Sequence, residues 1–243
     1  MKAASLLLMV VMAAGASAQS KPEVKSTSQL PVAVVGKTLT LAVFGQSLNP
    51  KDATITTKSI AVKVVSMGPT EQAEKDKGAS KVILEVTPPP DCPPNTYEIS
   101  LVNPDGAKVA VPIAVVPAVE SEIDVKEPTS NRDHATALTG SSIAASGALR
   151  NDSAAVFRFD AKAGETWRLE VLAGRVGSAL DPIVRIRDGR YVSLAISAGN
   201  PKVDRHIDFT APKTGTYYIE LSDEQARGGP TFTYRLTLRK TTK

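Results

Sequence analysis

Between Phe157 and Leu238 the chain is cut into short runs in which apolar and polar residues alternate, each run ending at glycine, proline or aspartate. Phe157-Arg158-Phe159-Asp160 is followed by Ala163-Gly164-Glu165-Thr166-Trp167, Leu180-Asp181-Pro182 and Phe209-Thr210-Ala211-Pro212. Then come Gly215-Thr216-Tyr217-Tyr218 and, past Gly228-Gly229-Pro230, Phe232-Thr233-Tyr234-Arg235-Leu236. A period of two sends successive side chains to opposite faces of a strand, and the punctuation stops any longer element. The pattern predicts a β-sandwich; it does not spell out a catalytic site.

The earlier part of the chain reads the same way. In Thr38-Leu39-Thr40-Leu41-Ala42-Val43-Phe44, the residues Leu39, Leu41 and Val43 share one face. Further strands are expected at Ala53 to Thr57, Ile60 to Ser66, Lys81 to Thr87, Tyr97 to Val102 and Lys108 to Val116. Asn103-Pro104-Asp105-Gly106 joins the last two as a hairpin turn, because proline presets one dihedral and glycine supplies a positive φ. About seven short strands without an amphipathic helix read as an immunoglobulin-like sandwich. Pro69 to Ser80 reads as a charged loop, and Pro88 to Pro94 as a stiff connector unable to donate ladder hydrogen bonds.

After the linker, strands are expected at Ser142 to Leu149, Ala154 to Phe159, Thr166 to Leu172, Ile183 to Arg187, Tyr191 to Ser197, His206 to Thr210, Thr216 to Leu221 and Phe232 to Leu238. Asp188-Gly189 reads as a two-residue hairpin between the middle pair. Eight strands suit a jelly-roll sandwich.

Residues 1–18 have the parts of a secretory signal: Lys2, an apolar stretch from Leu6 to Ala14, and the small-residue exit Ala16-Ser17-Ala18. The apolar run is shorter than the ~20 residues that span a bilayer, so export with cleavage near Ala18, to the periplasm or beyond, is expected, with no membrane span. The remaining chain of about 225 residues is long for one domain. Composition divides it: all twelve arginines lie at or beyond Arg132, and eight of the ten Phe and Tyr residues follow residue 120. The expectation is an all-β chain of two tandem sandwiches, immunoglobulin-like over 21–117 and jelly-roll-like over 127–239, joined by a linker at 118–126.

Charge narrows the partners. Residues 21–120 carry ten basic and ten acidic side chains, and 121–243 carry eighteen and fifteen, far from the basic face that nucleic-acid binding requires. Cys92 is the one cysteine, so no intrachain disulfide forms, and beside Pro93-Pro94 it reads as a small packed residue.

The first half resembles the IPT/TIG group of immunoglobulin-like domains through Gly36-Lys37-Thr38-Leu39-Thr40-Leu41, Gly45-Gln46-Ser47-Leu48 and Asn95 to Asn103 with Gly106. That resemblance implies a spacer or contact surface. The second half resembles the bacterial pre-peptidase C-terminal (PPC) domain, the module appended to many secreted peptidases. The residues that carry it are Glu127-Pro128 with Ala135 and Leu138, Phe157-Arg158-Phe159, Ala163-Gly164-Glu165-Thr166, Leu180-Asp181-Pro182, Ala211-Pro212 through Tyr218, and Tyr234-Arg235-Leu236. Some members of that family hold calcium through an acidic and amide-rich linker and an aspartate before the aromatic strand. Here Glu127 matches, but Thr129 and Ser130 take the next positions, Asn131 is displaced and Ala155 replaces the aspartate. Asp133 and Asp152 lie nearby, yet Ca²⁺ needs six to eight oxygens. A turn capped by Asp and Asn side chains is the favoured reading, and no metal or cofactor is assigned.

Candidate binding residues are Arg185 and Arg187, alternating on one strand face, with Arg190 past the turn. Such a set suits an anionic polysaccharide, a phosphate backbone or a partner's carboxylates, while an edge-protecting solvated face is the plainer reading. Trp167, Tyr217, Tyr218, Phe232 and Tyr234 invite sugar stacking, although Tyr217 and Tyr218 must point to opposite faces and most of these rings are expected in the core. The two histidines, His134 and His206, stand in no Gly-x-Ser-x-Gly elbow, His-Glu-x-x-His helix or zinc spacing. The sequence points to a secreted non-catalytic binding or accessory module at or outside the cell envelope, with an unknown protein or extracellular polysaccharide as partner. Its alternatives are an extracellular polymer (polysaccharide or matrix) binder, with or without calcium, and an accessory or inhibitory partner of a secreted hydrolase.

Overall fold

A computed structural model describes residues 21–55, 59–197 and 205–241; the signal segment 1–18 lies outside them. The first half contains β1 (Glu23–Thr27), β2 (Val32–Val34), β3 (Leu39–Gln46), β4 (Asp52–Ile55), β5 (Ala61–Pro69), β6 (Ser80–Thr87), β7 (Asn95–Val102) and β8 (Lys108–Val116). They form two four-stranded sheets, β1-β3-β6-β5 and β2-β8-β7-β4. With β2 taken as the second part of the first strand, which switches sheets and runs parallel to β8, this is the strand order of an immunoglobulin sandwich.

Alternation fills its core. Leu41 and Val43 on β3, Val82, Leu84 and Val86 on β6, Ile99 and Leu101 on β7, and Val111, Ile113 and Val115 on β8 are all buried at i, i+2 spacing. Each such side chain contributes about 1.5–3 kcal/mol on leaving water. Cys92 packs into the same core from the proline connector, with Sγ 3.7 Å from the Tyr97 hydroxyl. Gly106 closes the β7–β8 hairpin at φ 83°, donating its N–H to the Asn103 carbonyl. The charged stretch after Pro69 contains a 3₁₀ helix, Gln72–Lys77.

The second half contains β9 (Ser121–Val125), β10 (Thr136–Ala137), β11 (Ser142–Ala148), β12 (Ala154–Ala161), β13 (Thr166–Leu172), β14 (Pro182–Arg187), β15 (Ser193–Ser197), β16 (Arg205–Thr210), β17 (Gly215–Asp223) and β18 (Thr233–Thr241). One sheet runs β10-β12-β17-β14-β15 and the facing sheet β16-β13-β18-β11-β9. From β11 to β18 the chain alternates between the two sheets except at the β14–β15 hairpin, the path of a jelly roll. Between them lies an aromatic core in which Phe159 contacts Trp167, Phe209 and Tyr217 at centroid distances of 5.3, 6.3 and 5.7 Å.

Two expectations change. Residues 118–126, read as a linker, contain β9, which pairs in parallel with β11. Its sequence Ser-Glu-Ile-Asp-Val alternates, so Val125 and Ile123 join the core while Glu122 and Asp124 stay outside. Asp188-Gly189 is not a two-residue hairpin: the register resumes at Arg187 with Ser193 after a bulge, and Tyr191 lies in the turn rather than in a strand. Asp188 builds this longer loop by accepting the backbone N–H groups of Arg190 and Val192 on Oδ1. A small apolar cluster, Ala114, Leu172 and Val176 with Leu30, Val32 and Val116, joins the two sandwiches.

Candidate binding face on the second sandwich

β14 buries Val184 and Ile186 and turns Arg185 and Arg187 outward. Its neighbour β17 sets Glu220 opposite Arg185 and Tyr218 opposite Arg187, and β12 sets Arg158 opposite Tyr218. On the far side β15 sets Ile196 opposite Arg185. The outer face thus carries two cross-strand rows, Arg158–Tyr218–Arg187 and Val156–Glu220–Arg185–Ile196. Opposed side chains in such rows are close enough to interact.

Glu220 is the hub. Its Oε1 accepts from Arg185 Nη1 at 3.3 Å and from Arg187 Nη2 at 3.1 Å, and its Oε2 accepts from Arg187 Nε at 3.0 Å. The fork on Arg187 is bidentate, the strong form of a charge-assisted hydrogen bond. That bond raises the Arg187 pKa, with burial opposing it, so the guanidinium is firmly charged. Tyr191 completes the arrangement. Its ring lies 4.7 Å from Arg187 Cζ and 5.7 Å from Arg132 Cζ, it meets Tyr218 edge-on at 5.7 Å, and its hydroxyl donates to Glu220 Oε2 at 3.2 Å. Burial, followed by the charge of Glu220, pushes the Tyr191 hydroxyl pKa upward, so it remains a donor.

The backbone of Tyr191 sits at φ 67°, in the left-handed region that a bulky residue avoids. Its N–H donates to the Asp188 carbonyl at 2.8 Å, and the Asp188 N–H donates to the Val192 carbonyl at 2.9 Å, so the turn over-determines the conformation. Such a residue costs about 1–3 kcal/mol and persists where the surroundings hold it, often at binding sites.

Of the three arginines singled out in the sequence, Arg185 and Arg187 meet on Glu220, whereas Arg190 is 84% exposed at the turn, 3.6 Å from Asp188. Across the two rows and their flanking turns, Arg132, Arg158, Arg185, Arg187 and Arg190 stand against Asp133, Asp188 and Glu220, leaving a cationic excess. The sequence reading missed Tyr191, Arg132, Arg158 and Glu220. Glu220 was findable, since it shares a strand face with Tyr218 at i, i+2; Tyr191 was not, because it was placed in a strand.

The remaining sequence candidates lie elsewhere. Tyr217 points inward and Tyr218 outward, as expected, and Trp167 and Tyr234 are core residues. His134 is exposed in the turn Arg132–His134, and His206 faces out of β16 opposite Glu170 on the adjacent strand β13. Glu127 pairs loosely with Arg150 at 3.6 Å, Asn131 Oδ1 caps the Asp133 N–H at 2.9 Å, and Ala155 is buried in the core. Among the described residues no three His, Cys, Asp or Glu side chains are grouped to hold a metal ion.

No family model matches the chain. No curated protein matches it either. Solved structures do. A pre-peptidase C-terminal domain of collagenase from Bacillus anthracis is similar at 19% identity over 47% of this chain and 99% of its own, with a TM-score of 0.36. The periplasmic g-type lysozyme inhibitor PliG of Aeromonas hydrophila is similar at 16% identity over 49% of this chain and 99% of its own, with a TM-score of 0.33. The Bacteroides ovatus glucan-locus protein SGBP-B, solved with a mixed-linkage heptasaccharide, is similar at 12% identity over 90% of this chain and 74% of its own, with a TM-score of 0.30. The all-β sandwich assignment rests on the strand order itself. Among the described residues no helix is long and apolar enough to cross a membrane.

Proposed function

We propose that this chain is an exported, non-catalytic two-domain β protein that holds a negatively charged extracellular polymer on the Arg–Tyr face of its second sandwich. In this reading the immunoglobulin-like half, residues 21–117, is a spacer, and the PPC-like half, which also takes in β9, does the binding. The observation that carries it is Tyr191, fixed in a costly backbone conformation with its ring against Arg187 and its edge toward Tyr218. Tyr218 offers ring surface for a sugar, the exposed Arg158 and Arg190 offer planar recognition of carboxylate or sulfate groups, and Arg185 and Arg187, held on Glu220, keep the face cationic.

The test is retention of the mature protein on immobilised polygalacturonate and heparin, with neutral dextran as the control. Retention should weaken as salt rises and drop in the double variant Arg185→Ala with Arg187→Ala. If neither polyanion retains the protein at low salt, the reading fails.

A further inference from the structure

We infer a second binding site, for an uncharged hydroxyl-rich ligand of saccharide size, at the end of the second sandwich beside Trp167. A cavity of about 550 Å³ opens there between the ends of β12 and β17 on one sheet and of β13 and β18 on the other, with the Gly140-Ser141 turn at its margin. This volume is in the range of pockets that enclose small ligands, roughly 300–1,000 Å³.

Trp167, the one tryptophan of the chain, forms part of the wall and is 5% exposed. Its ring packs against Phe159, but its indole N–H is buried without an acceptor among the described residues. A donor left in that state costs about 1–3 kcal/mol, and buried indole N–H groups ordinarily find a partner. That nitrogen has almost no accessible surface, so the cavity meets Trp167 at its other atoms.

The rim defines the ligand's chemistry. Glu165 accepts from Lys240 Nζ at 2.7 Å and from the Lys162 N–H at 3.0 Å, and Asp160 accepts from the Thr216 hydroxyl at 2.6 Å. The hydrogen bond from Lys240, with that of the Lys162 N–H, holds the Glu165 carboxyl below its ordinary range despite burial, so it is an acceptor at neutral pH. Asp160 and Glu165 balance Lys162 and Lys240, so the rim has no net charge with which to select an ion. Both carboxylates retain free lone pairs and both ammonium groups retain donors. Donors and acceptors interleaved in this way match hydroxyl groups, each of which gives one hydrogen bond and takes others. Neither Tyr191 nor any of the arginines of the outer face lines this cavity, so the site stands independently of the polyanion reading.

A single tryptophan makes occupancy readable. Indole emission is followed while the mature protein is titrated with glucose, galactose, mannose, N-acetylglucosamine, cellobiose and maltose, with glucuronate and sulfate in parallel. At least one neutral sugar should give a saturable change, and neither anion should match it. Gly215 borders the cavity, its φ is not in the left-handed region, and a Cβ added there meets no atom beyond its chain neighbours within 4 Å. Gly215→Leu should therefore leave the circular dichroism and melting temperature intact and weaken sugar binding at least tenfold. Arg185→Ala with Arg187→Ala should leave it unchanged. Saturation-transfer NMR with the same sugars supplies a readout that does not depend on fluorescence. No saturable response to any neutral sugar, an equal response in Gly215→Leu, or an equal response to the anions would each overturn the assignment.

Discussion

The guanidinium carbon of Arg187 lies 4.7 Å from the centre of the Tyr191 ring, and both side chains end on the same carboxylate, Glu220. Tyr191 holds this place at φ 67°. Glycine accepts such a φ at no steric cost, which relieves about 1–2 kcal/mol. Loss of the ring forfeits about 0.5–1 kcal/mol of cation–π contact and a similar hydrogen-bond contribution. Tyr191→Gly should therefore unfold at nearly the wild-type temperature in calorimetry while losing several-fold in retention on polygalacturonate.

Glu220→Gln separates charge from shape. The substitution removes the carboxylate that two partly buried arginines share and should cost about 2 kcal/mol in urea unfolding. It also leaves the face one charge more positive. Affinity for heparin should rise at low salt, with a steeper salt dependence than the wild type. Unchanged retention would show that the polymer does not meet this face.

Asp223 governs the acid side. Burial alone pushes its carboxyl upward, but Arg227 and the backbone N–H groups of Asp181, Gln225 and Arg227 outweigh it and hold the group below the ordinary aspartate range. A folded-state pKa lower than the unfolded one contributes stability that is complete above the unfolded value, about 3.9, and is lost as pH falls toward the depressed folded value. Stability followed by urea titration should decline from about pH 5 downward, and Asp223→Asn should flatten that decline while lowering stability at pH 7.

The strand β9 makes the domain division testable. It carries Val125 and Ile123 into the second core, and Glu122 to the buried Arg235, whose Nη2 lies 2.8 Å from Glu122 Oε1. A fragment of residues 118–243 should fold alone with a single cooperative transition. A fragment starting at Glu127 should be destabilised by about 2–5 kcal/mol, since it lacks the β9 ladder on β11, the apolar contacts of Ile123 and Val125, and the carboxylate that meets Arg235. Equal stability of the two fragments would place the boundary at the later residue.

Several elements were legible before any coordinates. Leu39, Leu41 and Val43 share the face that packs on the first core, Gly106 takes the positive φ expected of its turn, and Tyr217 and Tyr218 part to opposite faces. The strand β9 was legible too, since Ser121–Val125 alternates, but its five residues sat where a change in composition suggested a linker. Tyr191 was misread for a different reason. Asp188-Gly189 is the local signal of a two-residue turn, and the side chain of Asp188 overrides it by capping N–H groups as far on as Val192.

The sequence alone determined that this protein is built of strands, which side chains turn inward along each of them, and that its two halves differ in character. Those properties follow from a period of two residues and from turn chemistry, both local. Tertiary structure decided which strands lie side by side, and with that the geometry of the two proposed sites. Glu220 reaches Arg185 and Arg187 across 35 and 33 residues of chain, and Lys240 reaches Glu165 across 75. The jelly-roll path makes those neighbours by alternating between sheets, and the register between distant strands is set by the packing of the whole core, which no short window of residues contains.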